Sequence, residues 1–260
     1  MKVLLIGDVM GRPGRELVET HLPSLIEEFQ LDFVVANAEN AAHGFGVTPD
    51  IADELLRMGI DVLTSGNHIW DRKEILEYIS ADSRLLRPAN FPAASPGRGW
   101  LIASSRSGRK VAVTNLQGRI FMAPSDDPFA VGMRIVEHLR KETPIILVDM
   151  HGEATSEKQA MGWYLDGRVT AVFGTHTHVP TADHRILPEG TAFVTDVGMT
   201  GPYDSIIGMD KDQIIQKFLD QMPSRFQVAR GNPVLEAMLV EVDPQTGRGL
   251  SIHRITRKGE

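Results

Sequence analysis

Short apolar runs recur along this chain, and most of them close on polar residues. The runs at 3–6, 33–36, 61–64, 144–148 and 169–173 are dominated by Val, Ile, Leu and Phe with little alternation. Such continuous runs predict short strands buried on both faces. Between them the apolar positions fall at helical spacing. A helix is expected from Pro13 to Phe29, with a kink or break at Pro23. Thr48-Pro49 has cap chemistry for a helix ending near Met58 and Gly59. Further helices are expected at Arg72–Ile79, Pro128–Lys141, Ser156–Leu165 with Ser156 as its cap, and Asp210–Leu219.

The pattern changes after the third run. Residues 83–99, rich in Pro and Gly, read as an irregular connection. Strands at Trp100–Ser104 and Lys110–Asn115 flank the turn Arg106-Ser107-Gly108-Arg109. The last third alternates as hairpins, with strands at 184–187 and 191–197 around Pro188-Glu189-Gly190, and at 234–242 and 249–256. The loop 198–209 shows no period. Strand–helix units followed by hairpins predict one α/β domain over 1–260, built as a mixed sheet or as two sheets face to face, with helices outside.

Composition narrows the classes of function. Of 260 residues none is cysteine, which excludes thiolate metal sites, cysteine nucleophiles and disulfides. The net charge of −7 argues against bulk nucleic-acid binding. No apolar stretch nears the roughly 18 residues of a membrane span, and no leader precedes the first strand. The chain is therefore expected to be soluble and cytoplasmic. Gly7, Gly11 and Gly14 miss the dinucleotide-binding spacing, because Val9 stands where the second glycine belongs.

The polar residues that follow the strands carry the chemistry. Asp8, Glu39 with Asn40, Asn67 with His68, His151, and His176 with His178 each follow an apolar run within a few residues. Ligands of α/β sheets bind beyond the carboxyl ends of the strands, so five strands deliver acid, amide and imidazole groups to one edge. Three histidines, two carboxylates and asparagine oxygens exceed the needs of one tetrahedral ion. They suit two ions bridged by a carboxylate and a solvent oxygen, an arrangement that favours phosphoryl chemistry. The mixed nitrogen and oxygen set fits iron, manganese or zinc better than calcium or magnesium.

In this order, Gly7-Asp8, Gly66-Asn67-His68, the strand-end His151 and Gly174-x-His176-x-His178 resemble the signature of the calcineurin-like metallophosphoesterases. Two places depart from that pattern: Met10 stands where a histidine is usual, and Asn37-Ala38-Glu39-Asn40 where the bridging Asp is usual. Those departures, with Ser65-Gly66-Asn67-His68-Ile69-Trp70-Asp71 and Thr195-Asp196-Val197-Gly198-Met199-Thr200-Gly201-Pro202, are similar to the YmdB-like bacterial metallophosphoesterases. The resemblance fades after about residue 210.

The resemblance implies a four-layer αββα sandwich of two mixed β-sheets flanked by helices. It also implies hydrolysis of 2′,3′-cyclic nucleotides or RNA-end phosphodiesters with two transition-metal ions per chain, and possible self-association. Carried over to these positions, Asp8 and His178 hold the first ion, with Asn40 filling the place lost at Met10. Glu39 bridges, and Asn67, His151 and His176 hold the second ion. An amide oxygen in place of imidazole makes the first site harder and tilts it toward iron or manganese, zinc remaining compatible. His68 is the expected catalytic residue, as general acid or as a donor to a phosphate oxygen; the alternative is that it only orients Asp8 or a bound water. Arg12, His43 and Tyr203 are candidate substrate contacts, against the alternatives of helix-surface charge and loop packing. The competing functions are a broader phosphomonoesterase/phosphodiesterase and a metal-bound regulatory protein with weak catalysis.

Overall fold

A computed structural model describes residues 1–81 and 84–259. In chain order the elements are β1 (Lys2–Val9), α1 (Gly11–Phe29), β2 (Phe33–Asn37), α2 (Pro49–Arg57), β3 (Val62–Thr64), α3 (Ile75–Ser80), β4 (Trp100–Ser104), β5 (Lys110–Gln117) and α4 (Pro128–Leu139). They continue as β6 (Ile146–His151), α5 (Thr155–Tyr164), β7 (Ala171–Thr175), β8 (Arg185–Ile186), β9 (Ala192–Val194), β10 (Met199–Pro202), α6 (Lys211–Asp220), β11 (Pro233–Val242) and β12 (Gly249–Lys258).

The strands form two six-stranded sheets, ordered β12-β11-β10-β1-β2-β3 and β4-β5-β6-β7-β9-β8. In the first sheet β10, β1, β2 and β3 run parallel, and β11 and β12 are antiparallel at one side. In the second a parallel centre β5-β6-β7-β9 is flanked by antiparallel β4 and β8. The alternation of β1 shows why they stack. Val3 and Leu5 join Val111, Val113, Leu147 and Phe173 of the other sheet in one core, while Leu4 and Ile6 pack against Leu17, Val18, Leu22 and Leu25 of α1. Residues of opposite parity face opposite sides of a strand, so a continuous apolar run serves both cores. In the second sheet Ile146 and Val148 face Val136, Leu139 and Met161 from α4 and α5. The result is the four-layer αββα sandwich.

Several elements differ from expectation. Helix α1 is not broken at Pro23. That proline is exposed on the outer face, where water can reach the carbonyl it leaves unpaired. Helix α3 starts at Ile75 rather than Arg72. Ala154, not Ser156, takes the cap position of α5 and makes no side-chain bond; Glu157 in the first turn instead accepts N–H bonds from Arg119 and Ile120. Within the irregular connection, Leu85 bridges to Leu63 beside β3, whereas residue 83 lies outside the described residues.

The largest departure is β10, inside the loop 198–209. It runs parallel to β1 at Asp8 and Val9 and antiparallel to β11. Its approach depends on Gly7: a Cβ there would stand 1.7 Å from the Gly198 carbonyl oxygen. Among the described residues no helix is long and apolar enough to cross a membrane.

Candidate metal centre

The parallel strands of both sheets end at one edge, and there the expected residues meet. Asp8 lies within β1, Glu39 and Asn40 follow β2, Asn67 and His68 follow β3, His151 ends β6, and His176 and His178 follow β7. Asp8, Glu39 and His151 are fully buried, Asn40 and His178 nearly so. Gly66 is required because a Cβ there would stand 2.1 Å from the His151 ring.

Two groupings share Glu39. In one, His151 Nε2 lies 3.0 Å from Glu39 Oε1, 3.1 Å from Asn67 Oδ1 and 3.1 Å from His176 Nδ1. In the other, His178 Nε2 lies 3.1 Å from the Asn40 side-chain amide and 3.8 Å from Asp8 Oδ1, and the same amide is 3.5 Å from Glu39 Oε1. These are the partitions expected for the second and first ions. A half-turn of the Asn40 amide brings its oxygen to face His178, as a ligand would need.

The donor set fits metal ions on its own geometry. Neighbouring ligands on an ion with bonds of roughly 2.0–2.2 Å stand about 3 Å apart at right angles, close to the spacing around His151. Ligand atoms of Glu39, His151 and His176 all lie within 4.8 Å of one another. Asp8 Oδ1 is buried and has no hydrogen-bond partner among the described residues, a costly arrangement unless a cation meets it.

Electrostatics follow from that crowding. Burial opposes ionisation of Glu39, but His151 and His68 outweigh it and hold the carboxyl at about 2. Burial also opposes protonation of His151, yet Glu39, Asp8 and Asp149 raise it to about 9. Burial and the neighbouring His151 push His176 down to about 3. Burial raises Asp8 above the usual carboxylate range.

Some residues absent from the sequence-based set shape the site. The His151 Nδ1–H donates to Thr175 Oγ1 at 2.9 Å, and that hydroxyl donates to Asp149 at 2.7 Å. Asn37 Nδ2 reaches Asp149 at 3.3 Å. This chain of bonds leaves His151 Nε2 as the coordinating nitrogen. Asn37 and Asp149 were visible as polar residues inside apolar strands. Glu153 stands 3.2 Å from His176 Nε2.

His68 is positioned by two bonds. Its backbone N–H donates to Glu39 Oε2 at 3.0 Å, and its Nδ1 lies 2.8 Å from Asp71 Oδ2. Its ring packs edge-on against Phe45. The centre opens into a chamber of about 850 Å³ lined by the polar side chains of Glu39, Asn40, His68, His176 and His178 and by the apolar Phe45, Met209, Ile214, Phe218 and Phe226. Arg12, His43 and Tyr203 do not line it. Arg12 pairs with Glu16 on the outside of α1, His43 is an exposed loop residue, and the Tyr203 hydroxyl donates to the Met199 carbonyl.

Residues 4–255 match the YmdB-like protein family. The chain belongs to that family. A 2′,3′-cyclic-nucleotide 2′-phosphodiesterase of Bacillus subtilis is 50% identical over 255 residues, covering 98% of this YmdB-like chain and 96% of the relative. A crystal structure of a hypothetical protein from Thermus thermophilus superposes with a TM-score of 0.93 at 41% identity, with both chains fully covered. A novel phosphatase from Mycoplasma pneumoniae also gives 0.93, at 35% identity over 99% of this chain and 93% of that one.

Proposed function

We propose that this chain is a metal-dependent phosphodiesterase that hydrolyses 2′,3′-cyclic nucleotides in the cytoplasm, with the whole chain working as one catalytic unit. The observation that carries this reading is the convergence of two ligand groupings on the shared carboxylate of Glu39. The name of the half-identical Bacillus relative supports the substrate class.

Asp8, Asn40 and His178 would hold one ion and Asn67, His151 and His176 the other, with Glu39 between them. Bound there, two transition-metal ions, iron or manganese before zinc, supply an activated water and screen the charge of the phosphate. The protein supplies the rest. The buried strand ends hold Asp8, Glu39 and His151 preorganised. Asp71 holds Nδ1 of His68, which leaves Nε2 to protonate the departing ester oxygen. Water adds to phosphorus as the 2′ oxygen leaves, giving a 3′-phosphate. The apolar lining of the chamber takes the nucleoside.

The test pairs metal analysis of protein purified without chelator with turnover of 2′,3′-cyclic AMP, 5′-AMP and p-nitrophenyl phosphate. About two ions per chain and preference for the cyclic diester are expected. Fewer than one ion in folded, metal-replete protein overturns the dinuclear reading; preference for the monoesters overturns the substrate assignment.

A further inference from the structure

Both histidines of the segment after β7 hold backbone conformations that non-glycine residues seldom adopt, with φ of 97° at His176 and 64° at His178. Such a segment keeps its shape only where its surroundings fix it. Here the fixing group is a carboxylate from another strand end.

Asp196 is fully buried after β9. Its Oδ2 accepts the Thr177 backbone N–H at 3.2 Å and the Thr177 hydroxyl at 2.8 Å, at the residue between the two histidines. Its Oδ1 accepts the Gly198 N–H at 2.9 Å. The Gly198 carbonyl in turn accepts the Asp8 N–H at 3.1 Å. One carboxylate therefore reaches the backbone that presents His176, His178 and Asp8.

The carboxylate has a buried counterion. Lys158 of α5 is 1% exposed. Its Nζ donates to Asp196 Oδ2 at 2.8 Å and to the Thr175 carbonyl at 3.3 Å, at the last residue of β7. A buried pair of this kind is weak support for stability, because desolvation offsets its attraction, but it can fix a conformation. Its side-chain bonds go to Thr175 and Thr177 of the segment that carries His176 and His178, and to Gly198, which bonds Asp8.

We propose that Lys158 and Asp196 form a buried positioning pair that holds Asp8, His176 and His178 in register for metal binding. Neither residue touches the substrate or points into the ligand groupings; they act through Thr177 and Gly198. Groups that orient ligands in this way characteristically change metal affinity by about 10–100-fold when removed. The inference rests on the metal-site reading above.

The test measures Mn²⁺ affinity by chelator competition, and melting temperature with and without Mn²⁺, on the full chain. Thr177→Val keeps the shape of the side chain and removes its hydroxyl bond to Asp196 at 2.8 Å, together with the long 3.5 Å contact from the Val179 N–H. About tenfold weaker Mn²⁺ binding and a smaller metal-induced rise in melting temperature are expected, with metal-free melting close to wild type. Thr177→Ser, which keeps the hydroxyl, should restore wild-type affinity. Lys158→Met and Asp196→Asn should weaken binding further, and if either fails to fold the Thr177 pair still decides. Wild-type Mn²⁺ affinity in folded Thr177→Val, or equal loss in Thr177→Ser, overturns the positioning role while leaving the metal centre standing. Failure of the wild-type chain to bind Mn²⁺ overturns the metal centre and the positioning role together.

Discussion

His178 Nε2 stands 3.8 Å from Asp8 Oδ1, and that oxygen is buried without a hydrogen bond from any described residue. The gap is too long for a direct bond, and it suits two ligands on one ion. In the metal-free protein the carboxylate is a liability, since burial raises the Asp8 pKa and penalises its charged form. Asp8→Asn removes that charge with little change of shape. We expect the metal-free variant to be more stable than wild type by on the order of 1 kcal/mol, and to bind one ion fewer. Melting in EDTA and metal counting check both; a metal-free variant that melts several degrees below wild type contradicts the account.

His68→Ala should separate catalysis from metal binding. The backbone bond from residue 68 to Glu39 survives the substitution, so the ligands stay in place. Loss of a positioned general acid costs roughly 10²–10⁴-fold in rate. Asp71→Asn keeps an acceptor for Nδ1 but removes its charge, and should fall between wild type and His68→Ala. Stopped turnover with full metal content is the expected result. Loss of ions in His68→Ala contradicts the assignment.

The pH dependence of metal binding follows from His151. In the metal-free protein its pKa is raised from 6.5 to about 9, so its contribution to stability is present below pH 6.5 and lost as pH rises through 9. Asp149, raised by burial to about 7, has the same sign, losing its contribution as pH rises from its ordinary 3.8 through 7. The metal-free protein should therefore be less stable at pH 9 than at pH 6. Metal binding runs the other way, because an ion needs the neutral imidazole and must displace its proton. Mn²⁺ affinity should climb by up to about tenfold per pH unit between pH 6 and 8 for one released proton. Calorimetry in buffers of different ionisation enthalpy counts that proton, and a flat profile contradicts it.

How much of this was legible in the sequence depended on the range of the contact concerned. Asp8, Glu39, Asn67, His151, His176 and His178 were legible because each follows a buried strand, and parallel strands that share a sheet end on the same side. Runs such as Val3–Ile6 predict burial on both faces and do feed two cores, but that pattern fits one mixed sheet as well as two stacked sheets, and only the family resemblance implies the sandwich. Strand β10 was not legible. Its Gly201 and Pro202 carry little strand propensity, and its existence depends on the pairing of Met199 and Thr200 with Asp8 and Val9 at the other end of the chain, so nothing local signals it. The pairing of Lys158 with Asp196 is hidden for the same reason: Asp196 stands in the motif at 195–202, but nothing local joins it to a lysine of α5. Arg12 and His43 lie near ligands in sequence and Tyr203 in the loop 198–209. That loop does line the chamber, through Ile206, Ile207 and Met209, whereas Arg12 and Tyr203 are engaged elsewhere and His43 is exposed.

The aromatic lining of the chamber gives the last prediction. Phe45, Phe218 and Phe226 line it, and Lys217 Nζ lies 4.9 Å from the Phe226 ring centre. Phe218 is 80% exposed although it lines this chamber, which suits a surface that a ligand covers better than a finished core. A ring held against a nucleobase is worth about 1–3 kcal/mol on removal, whereas the cyclic phosphate would be held by the metal ligands and His68. Phe226→Ala should therefore raise KM for 2′,3′-cyclic AMP by roughly tenfold, within that range of stacking energy, and leave kcat nearly unchanged. Ribose 2′,3′-cyclic phosphate, which lacks the base, should lose nothing. The contrast between the two substrates is the measurement, because a variant that disturbs the metal ligands slows both equally. An equal rise in KM for both would place the base elsewhere and leave these rings as packing for α6.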